Sequence, residues 1–381
     1  MIIKYSLGLD VSSKDIKACL VSLDIELRIR TVSSKTISNS KKGFIELQTW
    51  IKKWYSQVNV SISVCMEATG VYHENCAYFL HGKGYDVSIV LPNKAKKYLQ
   101  SLGLKSKNDS IDAQGLARMG AEQKLDIWEP MGTFFLELRV LTRQYQSIQE
   151  TKIAHQARLH SSESSATQVA FEIKQIKSLI NFLDKQIAQI ELQIAQLIRS
   201  NEVTKAKFDK ILKLFGISLI SGATVIAETG GFNLFKNYKQ LVSYAGYDVV
   251  ENQSGNHVGR TKISKKGNSR LRRILHMPSL VAIRQKDSVF GQLYLRIYDR
   301  SGIKMKGIVA VQKKLLIMIY YIWTKDIEYN PSVKNIQEEK QVPSSQFKKN
   351  EQKKPYKSMA SQGRRPVSYH SIPPLSSVNV D

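Results

Sequence analysis

The chain has 381 residues, enough for two or three domains, and its 57 Lys and Arg against 32 Asp and Glu give a net charge of +25. A cationic excess of this size indicates a polyanionic partner, either nucleic acid or an anionic membrane surface. The longest apolar run, residues 315–323, is far shorter than the roughly 20 residues of a membrane-spanning helix, so nucleic acid is the favoured partner.

Other features exclude further kinds of protein. The three cysteines (Cys19, Cys65 and Cys76) form no CxxC pair, and the seven histidines show no zinc-site spacing. The first ten residues lack the basic start and apolar block of a signal peptide. We therefore expect a soluble, intracellular protein whose thiols stay reduced.

The first 125 residues read as an α/β unit. Three strands are predicted first, in "KYSLGLDVSS" up to Asp10, "IKACLVSLD" and "IRTVSSKTI". A helix follows, whose predicted apolar face consists of Phe44, Leu47, Ile51 and Trp54. The strand "VSISVCMEATG" ends at Glu67 and precedes a helix over 75–80, the strand "YDVSIVLP", a short basic helix and a helix that begins "DSIDAQ". This order is typical of a ribonuclease-H-like fold.

The pattern from 135 to 200 is helical and is interrupted by the serine-rich "HSSESSATQ". Beyond it, apolar residues recur at spacings of four and three, as in a coiled coil: Ile176, Ile180, Leu183, Ile187, Ile190, Ile194 and Leu197. The same pattern suits a helical hairpin packed within its own chain. Both possibilities stay open at this point.

Short helices separated by glycines are predicted for 205–325. After residue 330, Pro, Ser, Lys and Gln dominate and the apolar periodicity vanishes, which predicts a disordered tail. The tail holds nine Lys and Arg and four Asp and Glu, so most of the positive charge belongs to the part predicted to fold.

Four carboxylates form a candidate metal site. Asp10 and Glu67 end strands that are neighbours in a ribonuclease-H-like sheet, and Asp109 and Asp112 lie three residues apart on one helix face. Carboxylates gathered in one pocket repel one another, by roughly 4 kcal/mol per pair at about 4 Å and an effective dielectric near 20. A proton or a hard cation such as Mg²⁺ or Mn²⁺ makes the arrangement tolerable.

Each carboxylate also has an ordinary alternative. Asp109 could cap the helix while Asp112 interacts with the helix dipole, Asp10 could be a turn residue, and Glu67 an exposed strand end. The stretch "GLDVSSKD" could also be the phosphate loop of an actin-like ATPase, but it lacks the second glycine of such a loop. The joint order of strand-Asp, strand-Glu and helical Asp-x-x-Asp favours the metal site.

A basic stretch follows in the third region. Between residues 260 and 273 there are seven cations and no acid: Arg260, Lys262, Lys265, Lys266, Arg270, Arg272 and Arg273. A charge run is usually a solvated face, but unbalanced cations around glycines suit a phosphate backbone. Ser254 lies just upstream, in a predicted turn or loop. These neighbours could stabilise developing charge, but none is an adjacent base for the hydroxyl, so the residues alone do not single out this serine.

Several stretches together resemble the insertion-sequence-110 transposases, also described as bridge-RNA-guided recombinases, with pilin-gene invertases as relatives. They are "GLDVSS", "MEATGVY", "GYDVSIVLP" and "KNDSIDAQGLA", then "LFGISLISGATVIAETG", "SYAGYDVVENQSG", "ISKKGNSRLRRIL" and "MPSLVA". The resemblance covers roughly residues 5–325. It departs from the family at "FGIS", where a glycine–hydrophobe–glycine hairpin turn is expected.

The resemblance implies a RuvC-like DEDD domain (1–130), a helical coiled-coil region (131–204), an all-α serine transposase domain (205–328) and a disordered basic tail (329–381). It implies that Asp10, Glu67, Asp109 and Asp112 are catalytic and hold Mg²⁺ or Mn²⁺. It also implies that Ser254 forms a phosphoserine. The expected partners are donor and target DNA, a structured guide (bridge) RNA and further copies of the chain, as a dimer or tetramer. A cytoplasmic, nucleoid-associated location in a prokaryotic cell is expected.

Two other functions fit the same residues. A hydrolytic RuvC-like nuclease or junction resolvase would use water, and Ser254 would then be only a turn residue. A nucleic-acid-binding protein that no longer cuts is the third possibility. Cleavage that disappears in Asp10→Ala would exclude the third function, and a covalent adduct lost in Ser254→Ala would exclude the second.

Overall fold

The computed structural model describes residues 1–55, 60–103, 108–251, 253–254, 257–259 and 261–330, and for 253, 254, 257 and 258 it describes the backbone alone. The predicted tail after 330 therefore lies outside the described residues. The N-terminal elements are β1 (Ile2–Val11), β2 (Asp15–Asp24), β3 (Ile29–Ser38), α1 (Lys41–Trp54), β4 (Ser61–Glu67), α2 (Glu74–Gly82), β5 (Asp86–Val90), α3 (Pro92–Ser101) and α4 (Asp109–Glu122).

These strands form one mixed sheet in the order β3-β2-β1-β4-β5. Short turns join β1, β2 and β3, so their pairing is antiparallel, whereas α1 and α2 return the chain so that β4 and β5 run parallel to β1. The predicted ribonuclease-H-like fold is confirmed, with a sheet over 2–90 whose carboxyl edge carries the ends of β1, β4 and β5.

The period-two alternation of β1 divides its residues between two helical layers. Leu7 and Leu9 are fully buried in the core shared with α1 and α2. Ser6, Gly8 and Asp10 point to the opposite face, which α4 covers. The fold therefore places Asp10 under α4 at the carboxyl edge of the sheet.

The predicted apolar face of α1 is correct for Phe44, Leu47 and Ile51, which are buried, but wrong for Trp54. Trp54 is the last residue of the helix and is 40% exposed, with the Lys53 ammonium 5.5 Å from its ring centroid. Trp50, one turn earlier, takes the buried position instead.

The remaining described chain is largely helical. Its elements are α5 (Thr133–Glu163), α6 (Ala170–Arg199), α7 (Glu202–Leu212), α8 (Leu219–Thr229), α9 (Tyr238–Tyr244), β6 (Val249–Val250), β7 (Gln253–Ser254), β8 (His257–Val258), β9 (Lys262–Ile263), α10 (Ser269–Ile274), α11 (His276–Ile283), α12 (Val289–Ser301) and α13 (Lys304–Lys325). Their buried residues form a second hydrophobic core, which includes most of α8 and the inner face of α13.

Helix α13 extends well beyond the apolar run seen in the sequence, and its length and composition alone would allow it to cross a membrane. Its apolar side chains are buried among the other helices, however: Val311, Leu315, Leu316, Ile319 and Ile322 belong to the second core. Since their contacts lie within the protein, α13 is a core helix.

The heptad residues of α6 pack against α5 of the same chain. Ile176, Leu183, Ile187 and Ile194 are buried, and Arg158 of α5 pairs with Glu172 of α6 at 2.9 Å. The helical hairpin is therefore the arrangement within one chain. Association of these helices between chains stays a prediction.

Candidate functional site

Strand register brings Asp10 and Glu67 side by side. Gly8 pairs with Cys65 in the parallel ladder of β1 and β4, and Asp10 and Glu67 stand two residues further along each strand. Residues two apart lie on the same face, so both carboxylates occupy the face that α4 covers. Both side chains are half-buried.

Helix α4 crosses β1 in very close contact, which sets the position of its first turn. Ser6 lies against Gly120, and a Cβ placed on Gly8 would come within 2.2 Å of backbone atoms of the turn 113–117. Two strand residues advance about 7 Å, roughly as far as five helical residues. Asp10 therefore comes under the first turn of α4.

Asp109 and Asp112 occupy that first turn, but neither caps the helix. The N-cap is Asn108, whose side-chain oxygen accepts a hydrogen bond from the Ile111 N–H at 2.9 Å. The capping alternative for Asp109 is therefore wrong. Asp109 shares the helix face of buried Ala113, four residues on, and Asp112 lies three residues beyond Asp109 on the neighbouring side of the same turn.

The surroundings of Asp10 raise the pKa of its carboxyl group. Partial burial and then the negative charges of Asp109, Asp112 and Glu67, with a smaller effect of Asp15, raise it to about 6. Across the described ranges, no three His, Cys, Asp or Glu side chains converge closely enough to hold one ion. The all-oxygen donor set fits Mg²⁺ or Mn²⁺.

A lysine lies beside Asp10 in the sheet, but its ammonium group does not form an ion pair with the Asp10 carboxylate. Lys17 pairs with Asp10 across β1 and β2. Its ammonium instead lies 3.2 Å from Thr36 Oγ1 and 3.5 Å from Asp15 Oδ2. The negative charge of Asp10 thus remains available to a cation or a proton.

Gly8→Ala should destabilise the protein by about 1–3 kcal/mol, because the new methyl group would collide with the backbone of α4 and push the helix off the sheet. Urea denaturation measures this loss. The matched control is Gly82→Ala, where a Cβ meets no atom within 4 Å and stability should be unchanged or slightly raised. Equal stability of the two variants would contradict the close helix–strand contact.

Ser254 is the last residue of the two-residue strand β7, and the rest of the predicted turn or loop, residues 255 and 256, lies outside the described residues. Val249 pairs with Ile263 in one two-stranded sheet, and Ser254 pairs with His257 in another. The sequence reading missed that His257, three residues on, is its cross-strand neighbour.

The predicted basic stretch divides into exposed and structural cations. Lys262, Lys265, Lys266 and Arg270 are exposed, and none makes a side-chain hydrogen bond or ion pair with the described part of the chain. Arg272 instead donates a hydrogen bond to the Ala245 carbonyl at 2.8 Å, and Arg273 pairs with Glu150. Arg260 lies outside the described residues.

A buried acid that the sequence did not reveal, Glu228, connects α5 to the residue that caps α10. Glu228 of α8 is 1% exposed and accepts hydrogen bonds from Arg143 Nε (2.7 Å) and Nη2 (3.0 Å) and from Asn268 Nδ2 (2.7 Å). Burial alone would raise the pKa of Glu228, but these hydrogen bonds and the nearby charges of Arg143 and Arg139 outweigh it and lower that pKa. The Glu228 carboxylate is therefore ionised, and both of its oxygens accept hydrogen bonds.

Asn268 connects Glu228 to the basic stretch, residues 260–273. Its side-chain oxygen caps α10 by accepting from the Arg270 and Leu271 N–H groups, and its own N–H donates to the Tyr244 carbonyl at 2.7 Å. Gly267 is required beside it, because a Cβ there would lie 2.3 Å from the Tyr244 oxygen. The only sequence signal was a lone acid in the apolar run "LISGATVIAETG".

Comparison with known proteins agrees with this architecture. A model of DEDD transposases of the IS110 type matches residues 7–162, and that of the Transposase IS116/IS110/IS902 family matches 209–295. The pilin gene-inverting proteins of Moraxella lacunata and Moraxella bovis are each 26% identical over 321 residues, which cover 84% of this chain and 95% of each relative.

Two further similarities are more limited. A probable family 20 transposase of Pseudomonas aeruginosa is 27% identical over 103 residues, which cover 27% of this chain and 29% of that protein. RuvC of Thermus thermophilus is 13% identical, with a TM-score of 0.26 over 32% of this chain and 99% of RuvC. The family models cover both the carboxylate-bearing sheet and the helical region with the basic segment, and the chain belongs to the IS116/IS110/IS902 family of transposases.

Proposed function

We propose that this transposase cuts and rejoins DNA through a covalent bond to Ser254, assisted by a divalent cation at Asp10, Glu67, Asp109 and Asp112. The observation that supports the proposal is the placement of Asp10 and Glu67 side by side at the carboxyl edge of the sheet with the first turn of α4 above them, where burial and then the charges of Asp109, Asp112 and Glu67 raise the pKa of Asp10 to about 6. Such mutual repulsion is costly to a fold, and a role in binding a cation explains why it is kept.

The four carboxylates would hold Mg²⁺ or Mn²⁺ through oxygen atoms alone. When bound, such an ion neutralises charge on the phosphate and on the leaving oxygen. The residues of the chain would do the rest: the four carboxylates would hold the ion at the end of β1 and β4, and the exposed cations of the basic stretch would bind the adjacent phosphate backbone.

The proposed reaction is a pair of transesterifications. Ser254 Oγ forms a bond to phosphorus while a phosphorus–oxygen bond of the DNA strand breaks, and the proton lost by the serine is balanced by one gained by the leaving hydroxyl. The phosphoserine keeps the energy of the phosphodiester. Attack by the hydroxyl end of another strand then releases Ser254 and rejoins the DNA, so no ATP is needed.

We further propose that subunits of a dimer or tetramer combine their carboxylates and serines, and that a structured guide (bridge) RNA selects donor and target DNA. The family resemblance and the net charge of +25 support a large nucleic-acid partner. Sequencing of RNA that co-purifies with the protein tests this part. A single enriched structured species is expected, and its absence would contradict RNA guidance.

Trapping of protein-linked DNA on a denaturing gel tests the serine mechanism. Wild-type protein should give a covalent adduct with Mg²⁺, and Ser254→Ala should give none. Ser264→Ala is the matched control, because the Ser264 hydroxyl is buried and should not reach a phosphate. Cleavage that persists in Ser254→Ala without an adduct would instead establish the hydrolytic nuclease or junction resolvase.

Each of Lys265→Ala, Lys266→Ala and Arg270→Ala should weaken DNA binding at low salt. If each contacts one phosphate, each loss should reduce the magnitude of the slope of log K against log[salt] by about 0.9. Fluorescence anisotropy at several salt concentrations measures the slope. The control is Lys177→Ala, since Lys177 pairs with Glu163 on the α5–α6 hairpin and should leave the slope unchanged.

A further inference from the structure

An exposed aromatic residue, Tyr72, lies in the loop that follows Glu67. After β4 ends at Glu67, the Thr69 N–H donates to the Glu67 carbonyl (2.9 Å) and the Tyr72 N–H to the Thr69 carbonyl (3.2 Å). These two turns keep Tyr72 at the carboxyl edge of the sheet. Tyr72 is 48% exposed and its neighbour Val71 is 65% exposed, so both present apolar surface to solvent.

The backbone of Tyr72 is held in place by a single amide side chain. Asn39 Nδ2 donates to the Tyr72 carbonyl at 3.1 Å and to the Ser12 carbonyl at 2.8 Å. Ser12 stands two residues beyond Asp10, so Asn39 ties the loop after β4 to the loop after β1. The backbone that carries the exposed ring is therefore held close to the proposed catalytic edge.

Three exposed lysines lie close to Asn39. The Asn39 N–H donates to the Lys14 carbonyl at 2.8 Å, and α1 begins with Lys41 and Lys42 immediately after its N-cap. All three lysines are exposed, and none has an ion-pair partner in the part of the chain that the structure describes. An aromatic face flanked by uncompensated ammonium groups has the chemistry that binds single-stranded nucleic acid.

We propose that Tyr72 stacks on an unpaired base of the DNA strand next to the bond that is cut, while Lys14, Lys41 and Lys42 bind the adjoining phosphates. The inference rests on the proposed function, because strand exchange requires the cut end to leave its duplex. An exposed aromatic ring at that point would hold the freed end without reading its sequence, since every base offers a stacking face.

Binding of short single-stranded DNA to the full chain in EDTA tests the proposal. The probe is an oligonucleotide that contains 2-aminopurine, whose fluorescence is quenched by stacking and whose anisotropy reports binding. Tyr72→Ala should weaken binding about 5- to 100-fold and relieve the quenching, the range found when a stacking aromatic is replaced by alanine. Tyr72→Phe should bind like wild type, because it keeps the ring.

The matched control is Phe182→Ala on α6, where a somewhat more exposed aromatic residue (56%) lies far along the chain from the carboxylates. It should leave DNA binding unchanged. Equal binding by Tyr72→Ala and wild type would overturn the proposal, as would a dependence on Tyr72 for RNA of the same sequence but not for DNA. These outcomes are independent of adduct formation, so a failure here is distinct from a failure of the serine mechanism.

Discussion

Asp10→Asn should abolish DNA cleavage and, without divalent cations, make the folded protein more stable. The loss of cleavage should reach at least about 10³-fold, because the variant removes a proposed ligand for the cation that would stabilise the transition state. The gain in stability arises because a neutral amide avoids the cost of burying an ionised carboxylate, which is the largest effect, and no longer repels Asp109, Asp112 and Glu67. We expect a proposed ligand of a cation to destabilise the folded protein in this way when the cation is absent.

The sign and size of the effect follow from the pKa of Asp10. The folded protein raises it from the usual value near 3.9 to about 6, so folding is penalised above pH 6 and not below pH 3.9. The shift corresponds to roughly 3 kcal/mol, which solvent screening of a half-buried group reduces to about 1 kcal/mol. The stabilising effect of Asp10→Asn should therefore be full at pH 7 and vanish near pH 4.

Thermal denaturation with EDTA or with Mg²⁺, over this pH range, measures the effect. Mg²⁺ should stabilise the wild-type protein and have little effect on Asp10→Asn. Asp86→Asn is the matched control, because Asp86 begins β5 at the opposite edge of the sheet and is exposed. A loss of stability in Asp10→Asn in EDTA at pH 7 would show that the carboxylate serves the fold and not a cation.

Glu228→Ala should destabilise the protein by about 2–3 kcal/mol. The substitution leaves the Arg143 guanidinium and the Asn268 amide without their shared buried acceptor, but the Arg143 side chain is 43% exposed and regains water, which limits the loss. Because Asn268 also caps α10, the basic segment should lose its fixed position, and DNA binding should weaken as well.

The pH dependence provides an independent check. The pKa of Glu228 is lowered in the folded protein, so its contribution is complete at pH 7 and is lost as the pH falls through that lowered value. Urea denaturation should thus show a smaller difference between wild type and Glu228→Ala in acid. Glu172→Ala, which breaks the exposed pair with Arg158, should cost no more than about 1 kcal/mol. Similar losses in both variants would contradict the proposed role of burial.

The sheet was predictable because its information is local. Alternating strands, short turns and intervening helices specify the order β3-β2-β1-β4-β5, and that order alone brings Asp10 and Glu67 to one edge. The approach of α4 was only partly predictable. The glycine at position 8 permits it, but nothing local to Asp109 shows that Asn108 takes over the capping role.

The helical part was less predictable because its contacts are distant in sequence. The Arg143–Glu228 pair spans 85 residues and the Asn268–Glu228 bond 40, so no periodic pattern reveals them. A run of cations likewise does not show which members serve the fold, and Arg272 was identified as structural only through its bond to the Ala245 carbonyl. Ser254 was selected by family resemblance, and its pairing with His257 came from the strand register.

Mass spectrometry of the trapped protein–DNA adduct tests the central claim most directly. After nuclease and protease digestion, the wild-type protein incubated with Mg²⁺ should yield a peptide with a nucleotide phosphate on Ser254. The same peptide should be unmodified in EDTA and in Asp10→Asn, since the serine and the carboxylates are proposed to act together. A modified residue other than Ser254, or a Ser254 adduct that forms equally well in Asp10→Asn, would contradict this account.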